Sequence, residues 1–297
     1  MSARTILAVG SIAIDWLELP DGRERETLGG SATYFLLAAS RFAPVHVVGI
    51  VGSDFPEAGM HLFKKHAANL DDLQVTHGKT FRWGGRYHGD WESRTTLFTE
   101  LGVFETFRPA LSPVNRKCDV IFLGNIQPSL QLDVLDQSEN HGRVVVCDTM
   151  NLWIETTKDD LLKVLQLTDI LLLNEQEASL LTGVSDLEEA VSAIQELGPS
   201  QVVVKRGSMG SFLVTGSEKT HIGAFPVKTV SDPTGAGDSF AGGFVGDLAR
   251  GESIVEALMA GSAVASFCVE GFGVEGLIKI EEDELTHRIN AIREKSL

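Results

Sequence analysis

Ile170-Leu171-Leu172-Leu173-Asn174-Glu175-Gln176-Glu177 places four aliphatic residues in a row, closes them with a polar one and passes into a helical pattern. An apolar run without alternation is what a strand needs when both of its faces are covered, as in a parallel sheet sandwiched between helices. The same form recurs at Ile6 to Val9, Val45 to Val51, Val120 to Leu123, Val144 to Cys147 and Val202 to Val204, each ending at Gly, Asp, Asn or Lys. Helical patterns separate these runs, and the spacing predicts an α/β fold, a doubly wound, mostly parallel sheet flanked by helices. Ligands of such sheets sit outside the carboxyl ends of the strands. Asp15, Asp148, Asn174, Glu175, Lys205 and Gly207 therefore carry the most weight, although helix caps and turns also use these residue types.

One segment departs from the pattern. From Thr80 to Trp91 the apolar side chains recur with period two, so Phe81, Trp83, Tyr87 and Trp91 share one strand face and Arg82, Arg86, His88 and Asp90 the other. Trp16, Leu17 and Leu19 form a second short candidate strand and Thr95 to Phe98 a third. Together they predict a small antiparallel β lid drawn from approximately 12–20 and 79–99; an edge extension with aromatics in the core fits the same pattern. No internal repeat, low-complexity stretch or Pro/Gly/Ser-rich linker divides the chain, so residues 1–297 read as a single domain with the lid as an outgrowth.

A chain of 297 residues that is 43% hydrophobic can bury a sizeable core. Its 25 basic and 41 acidic residues give a formal charge of −16, the wrong sign for tracking a nucleic-acid backbone. No nucleic-acid partner is expected, and any anionic ligand must be held by local donors. Cys118, Cys147 and Cys268 lie far apart with no CxxC pair, which fits a reducing cytoplasm better than a disulfide framework or a zinc knuckle. The apolar stretch Ile6 to Ile14 is cut off by Asp15 without a cleavage site, and no run approaches the ~18 residues of a membrane span. The expected location is cytoplasmic, with no membrane association.

The chemistry concentrates in Asp232-Pro233-Thr234-Gly235-Ala236-Gly237-Asp238-Ser239-Phe240, followed by Ala241, Gly242, Gly243 and a helical pattern to about Arg250. Small residues let backbone N–H groups converge, and a helix beginning there adds its positive end, which together make an anion hole. A carboxylate beside such a hole repels a phosphate unless an acceptor hydroxyl lies between them, and a base that takes the hydroxyl's proton resolves that conflict. An acid in a first helical turn is by itself a common arrangement worth under about 1 kcal/mol. Other phosphate motifs fail: Gly78-Lys79-Thr80 ends like a P-loop, but Leu73 stands at its first glycine, and Phe240 stands where a GxGxxG needs its third.

The stretch DPTGAGDSFAGGF, Asp232 to Phe244, resembles the C-terminal signature of the ribokinase-like (PfkB) family of sugar and nucleoside kinases. The family's other landmarks follow in order over essentially the whole chain: Gly29-Gly30 before an apolar helix, Asn174-x-x-Glu177 after a strand, and Lys205, Arg206, Gly207 and Gly210 after the next. The resemblance implies ATP and Mg²⁺ as cofactors. It implies that Gly235, Ala236 and Gly237 donate to the transferring phosphoryl group and that Asp238 is the catalytic base. Asn174 and Glu177 would organise the metal and its waters, as hard oxygen ligands suit Mg²⁺, and Asn174 could equally cap the helix that carries Glu177. Lys205, Gly207, Gly210 and Thr234 would line the nucleotide, although Lys205 also reads as a solvated strand end. Some relatives respond to potassium, and Asp232 and Thr234 lie where such a K⁺ site would be.

On the acceptor side, Asp15 is similar in position to a carboxylate that binds adjacent sugar hydroxyls, although a turn would also use an Asp there, and Gly29, Gly30 and Ser31 would flank the substrate. Tyr34 stands where many relatives carry Asn. Asp148 opens Asp-Thr-Met-Asn, and Trp153 lies one place beyond the arginine position of acid-sugar kinases, which disfavours an acidic sugar. The leading expectation is ATP-dependent phosphorylation of a neutral sugar or polyol. Trp83, Tyr87 and Trp91 could stack on a ring, which favours a nucleoside or a cyclic polyol, or pack against the lid of a second subunit in a homodimer. A non-catalytic sugar or nucleotide sensor is the alternative of another class.

Overall fold

The computed structural model describes residues 3–88 and 94–296. Among the described residues thirteen strands run in chain order: β1 (Ile6–Val9), β2 (Ala13–Glu18), β3 (Glu24–Gly29), β4 (Val45–Gly52), β5 (Leu73–Thr76), β6 (Phe81–Tyr87), β7 (Arg94–Glu100), β8 (Val120–Leu123), β9 (Val144–Asp148), β10 (Ile170–Asn174), β11 (Gln201–Lys205), β12 (Ser211–Thr215) and β13 (Glu218–Ile222). Nine of them form one sheet in the order β13-β12-β11-β10-β9-β8-β1-β4-β5. From β11 to β5 all pairings are parallel, and only β12 and β13 join antiparallel. All six continuous apolar runs are parallel strands, so the doubly wound, mostly parallel sheet expected from them is present.

Each run serves two cores. Ile6, Ala8, Phe122, Val146 and Leu172 face the helices Ser31–Ala39, Ala236–Arg250 and Ile254–Glu270. Their neighbours Leu7, Val9, Leu123, Cys147 and Leu173 face the helices on the opposite side, among them Glu175–Thr182 and Leu187–Glu196. All three cysteines are buried and free. Among the described residues no helix is long and apolar enough to cross a membrane.

The chain leaves β1 in the sheet interior, builds β4 and β5 on one side, and returns to β8 on the other. This reversal opens the crevice beyond the strand ends where a ligand can sit. The small second sheet, of order β3-β2-β6-β7, stands off the main one. It includes β3, which the sequence reading omits: Glu24, Arg25 and Glu26 are exposed, and their charged run has no apolar periodicity to betray a strand. The β2–β6 pairing is parallel, so the lid sheet is mixed rather than wholly antiparallel. Strands β5, β12 and β13 are also absent from the apolar reading. β5 is a four-residue edge strand without a fully buried side chain, and β13 is largely exposed.

Helix Ala236–Arg250 packs on Ser31–Ala39 at very short range. A Cβ at Gly242 would lie 2.5 Å from the Ala38 Cβ and 2.6 Å from the Phe35 carbonyl oxygen. That contact ties the helix behind Gly29-Gly30 to the helix behind Gly235–Asp238. Gly242→Ala should therefore destabilise the fold by about 1–3 kcal/mol through overpacking, read as a lower urea midpoint at unchanged slope.

Candidate active site

The carboxyl ends of three adjacent strands bring Asp148, Asn174 and Lys205 together. Asn174 and Lys205 are register partners at the ends of β10 and β11, and Asp148 pairs with Leu172 at the end of β9. Lys205 Nζ lies 2.8 Å from both Asp148 carboxylate oxygens, so its side chain spans the end of β10. Burial alone would lower the ammonium's pKa, but the charges of Asp148, Glu177 and Asp238 outweigh it and hold the group above its ordinary value. Lys205 is thus a half-buried, paired cation and not a solvated strand end. Its neighbour Arg206 turns to Glu175 at 2.6 Å.

The Asp232–Asp238 segment forms the opposite wall. Gly235 caps helix Ala236–Arg250 with φ 75°, a left-handed conformation that a side chain would strain. Asp238 lies in the first turn, where backbone N–H groups lack intrahelical acceptors and the helix end is electropositive. Gly237 faces Lys205: a Cβ there would sit 3.3 Å from the ammonium nitrogen. Asp232 braces the loop, accepting hydrogen bonds from the Thr234 and Gly273 amides at 2.9 Å each. Burial pushes its carboxyl pKa up despite those bonds.

Asn174 and Glu177 form a reciprocal capping box: the Asn174 side chain accepts from the Glu177 amide and the Glu177 carboxylate accepts from the Asn174 amide, each at 2.8 Å. The cap reading of Asn174 is therefore real, and it fixes Glu177 within electrostatic reach of Lys205. Among the described residues no group of three His, Cys, Asp or Glu side chains could chelate a metal. A hydrated Mg²⁺ held mainly by phosphates and water suits one such carboxylate. Gly207 begins a short 3-10 turn with open space above it, whereas Gly210 closes the turn into β12, its carbonyl accepting from the Arg206 amide at 2.8 Å.

On the acceptor side, Asp15 lies within β2 and is 4% exposed, so it is not a strand-ending turn residue. Its carboxylate rests directly over Gly29, leaving no room for a side chain there. Gly30 caps the following helix at φ 90°, with its α-carbon against the Ser11 carbonyl. Ser31 is committed locally, accepting from the Ser11 amide at 3.2 Å while the Ser11 hydroxyl accepts from the Ser31 amide at 3.1 Å. The ring of Tyr34 fills the space beside Gly235, and its buried hydroxyl has no hydrogen-bond partner among the described residues. Burial, reinforced by Asp15, Cys268 and Asp232, holds that phenol well above its ordinary pKa and therefore neutral.

The small sheet reaches this region. In register, Asp15 pairs with Trp83 and Leu17 with Gly85, which places Trp83 and Tyr87 on the Asp15 face. The Tyr87 hydroxyl lies 2.8 Å from Thr234 Oγ1, a direct lid-to-loop contact that sequence spacing could not show. Arg82 and Arg86 are ion-paired to Glu26 and Glu18 at 2.8 and 2.9 Å. Asp90 and Trp91, assigned to the lid faces from the sequence, lie outside the described residues.

Small residues at a helix end suit a phosphoryl group, and a carboxylate beside them suits an incoming hydroxyl; the class so defined is a phosphotransferase with an alcohol acceptor. The chain belongs to the pfkB family of carbohydrate kinases, whose family model matches residues 3–280. It is 29% identical over 263 residues to the cytidine kinase of Thermococcus kodakarensis, across 86% of this chain and 92% of that protein. Over 239 residues it is 37% identical to an uncharacterized sugar kinase of Archaeoglobus fulgidus, across 77% of this chain and 93% of that one. Its fold matches that of Arabidopsis thaliana ribokinase complexed with ribose and ATP, with a TM-score of 0.80, 23% identity and coverage of 97% and 99% of the two chains.

Asp148 is the site residue to which the sequence assigns no role. It ends an apolar run, which is a signal, but its partner lies 57 positions along the chain. The orphaned phenol yields a direct test. Tyr34→Phe removes a buried donor that lacks an acceptor in the free protein, so it should raise stability by about 1 kcal/mol, seen as a higher urea midpoint without ligand.

Proposed function

We propose that this kinase transfers the γ-phosphoryl group of ATP to a hydroxyl of a neutral sugar or polyol. Asp238 takes the acceptor proton, and Gly235, Ala236 and Gly237 receive the transferring group on the helix end. The observation that carries the reading is the approach of the Lys205 ammonium to Gly237, one residue before Asp238. Anion-binding groups and a carboxylate thereby meet at one point. Asn174 and Glu177 would hold Mg²⁺ through its waters, where the ion supplies charge neutralisation between phosphates. Gly207 offers open backbone to the nucleotide, with Gly210 and Thr234 shaping the loops around it.

For the acceptor, Asp15 presents carboxylate oxygens to adjacent hydroxyls and Gly29 and Gly30 hold the backbone close by. The neutral reading rests on the sequence from Asp148 to Trp153; the Trp153 indole is committed within the protein, donating to Asn125 Oδ1 at 2.7 Å. A nucleoside is the second reading, favoured by the position of Trp83 on the Asp15 face and by the likeness to a cytidine kinase. Nothing about the loop supports a sensor that lacks a base.

ADP release from Mg-ATP across pentoses, hexoses, polyols and nucleosides tests the assignment, with Asp238→Asn as control. Turnover of at least one acceptor is expected, reduced by about 100- to 10,000-fold in the variant. Equal rates for both proteins would remove Asp238 as base.

A further inference from the structure

The ion pair between Lys205 and Asp148 is placed oddly for a structural staple. Both residues stand where the strands end, and their pairing crosses β10. The Lys205 side chain is 18% exposed and that of Asp148 4%, so the carboxylate is enclosed while the lysine keeps some access to solvent. The ammonium also adjoins Gly237, where a Cβ would lie 3.3 Å from its nitrogen. A lysine ammonium has three N–H donors, and the two hydrogen bonds it makes among the described residues both go to Asp148. A third donor is left for a ligand.

The charge balance points the same way. Asp148, Glu177 and Asp238 all act on this one ammonium. A polyphosphate entering a site lined by carboxylates meets repulsion unless a cation faces its leading end. A lysine on a free four-carbon stem would swing to solvent. Asp148, rooted at the end of β9, fixes the ammonium beside the glycine loop and keeps it charged.

We propose that Lys205 is a catalytic residue whose ammonium rests on the transferring phosphoryl group, and that Asp148 is the positioning residue that holds it there. The inference rests on the reading of Gly235 to Asp238 as phosphoryl loop and base. Because Lys205 adjoins the residue next to Asp238, its contact belongs to the terminal phosphoryl, the only one that must come beside the base. Lys205 then discriminates a triphosphate from a diphosphate, and stabilises charge as the group moves to the acceptor oxygen.

Calorimetric titration with Mg-AMP-PNP and Mg-ADP tests this without any acceptor. Lys205→Gln should weaken AMP-PNP binding by about 10-fold or more, the scale of one lost charge-assisted hydrogen bond, and leave ADP within about 2-fold. Asp148→Asn should erode the same preference by about 3- to 10-fold, because the ammonium loses its anchor. The double variant Lys205→Met with Asp148→Asn leaves no uncompensated buried charge. It serves as the folded control should the single variants unfold, and it should lose the AMP-PNP advantage alone. If the two nucleotides weaken in step, or neither changes, the pair is a staple and the inference falls. If the unaltered protein binds neither nucleotide, the kinase reading falls first and takes this one with it.

Discussion

A single ammonium sits among three carboxylates at the carboxyl edge of the parallel sheet. Lys205 is 2.8 Å from both oxygens of Asp148 and within electrostatic reach of Glu177 and Asp238. Burying such a pair seldom adds net stability, because desolvation offsets most of the Coulomb attraction. Under the proposed function its position gives it a purpose: in a chain of formal charge −16, an anion needs a local positive field. That field has two sources here, the ammonium from β11 and the electropositive end of helix Ala236–Arg250, and they meet at Gly237.

Holding those sources together is a packing problem. Gly242 lets helix Ala236–Arg250 sit against Ser31–Ala39 at backbone contact, and Gly246 repeats the approach one turn later, its would-be Cβ 2.9 Å from the Ala39 carbonyl. The two helices begin at Gly235 and Gly30, so their contact sets the distance between the Gly235–Asp238 loop and the Asp15–Gly30 region. Tyr34 stands between them, with its ring beside Gly235 and its buried hydroxyl without a hydrogen-bond partner among the described residues. An asparagine there would be shorter and polar; the phenol instead fills volume at the junction of the two half-sites.

The lid adds a third constraint. Leu17, Leu19, Tyr87 and Phe272 make a small core of their own between the lid and the C-terminal segment. Arg25 binds Glu275 at 2.8 Å and stacks over the Phe272 ring at 3.8 Å, while Tyr87 reaches Thr234. Lid position is thereby linked to the glycine loop through Thr234 and to Asp232 through Gly273.

The six apolar runs by themselves determined the parallel sheet, because a strand covered on both faces has no freedom to alternate, and such a run leaves a plain trace in sequence. The segment Asp232–Phe244 carried the expectation of an anion hole in its own composition, since small residues let amides converge. β3 left no comparable trace: Glu24, Arg25 and Glu26 are an exposed charged run without apolar periodicity, and their pairing is decided by β2 alongside. The partnership of Lys205 with Asp148, of Tyr87 with Thr234 and of Asp15 with Gly29 was decided only by the tertiary structure. Each joins residues from separate elements, and local propensity carries no information about a contact that exists only once the strands have been ordered and the lid folded over their ends.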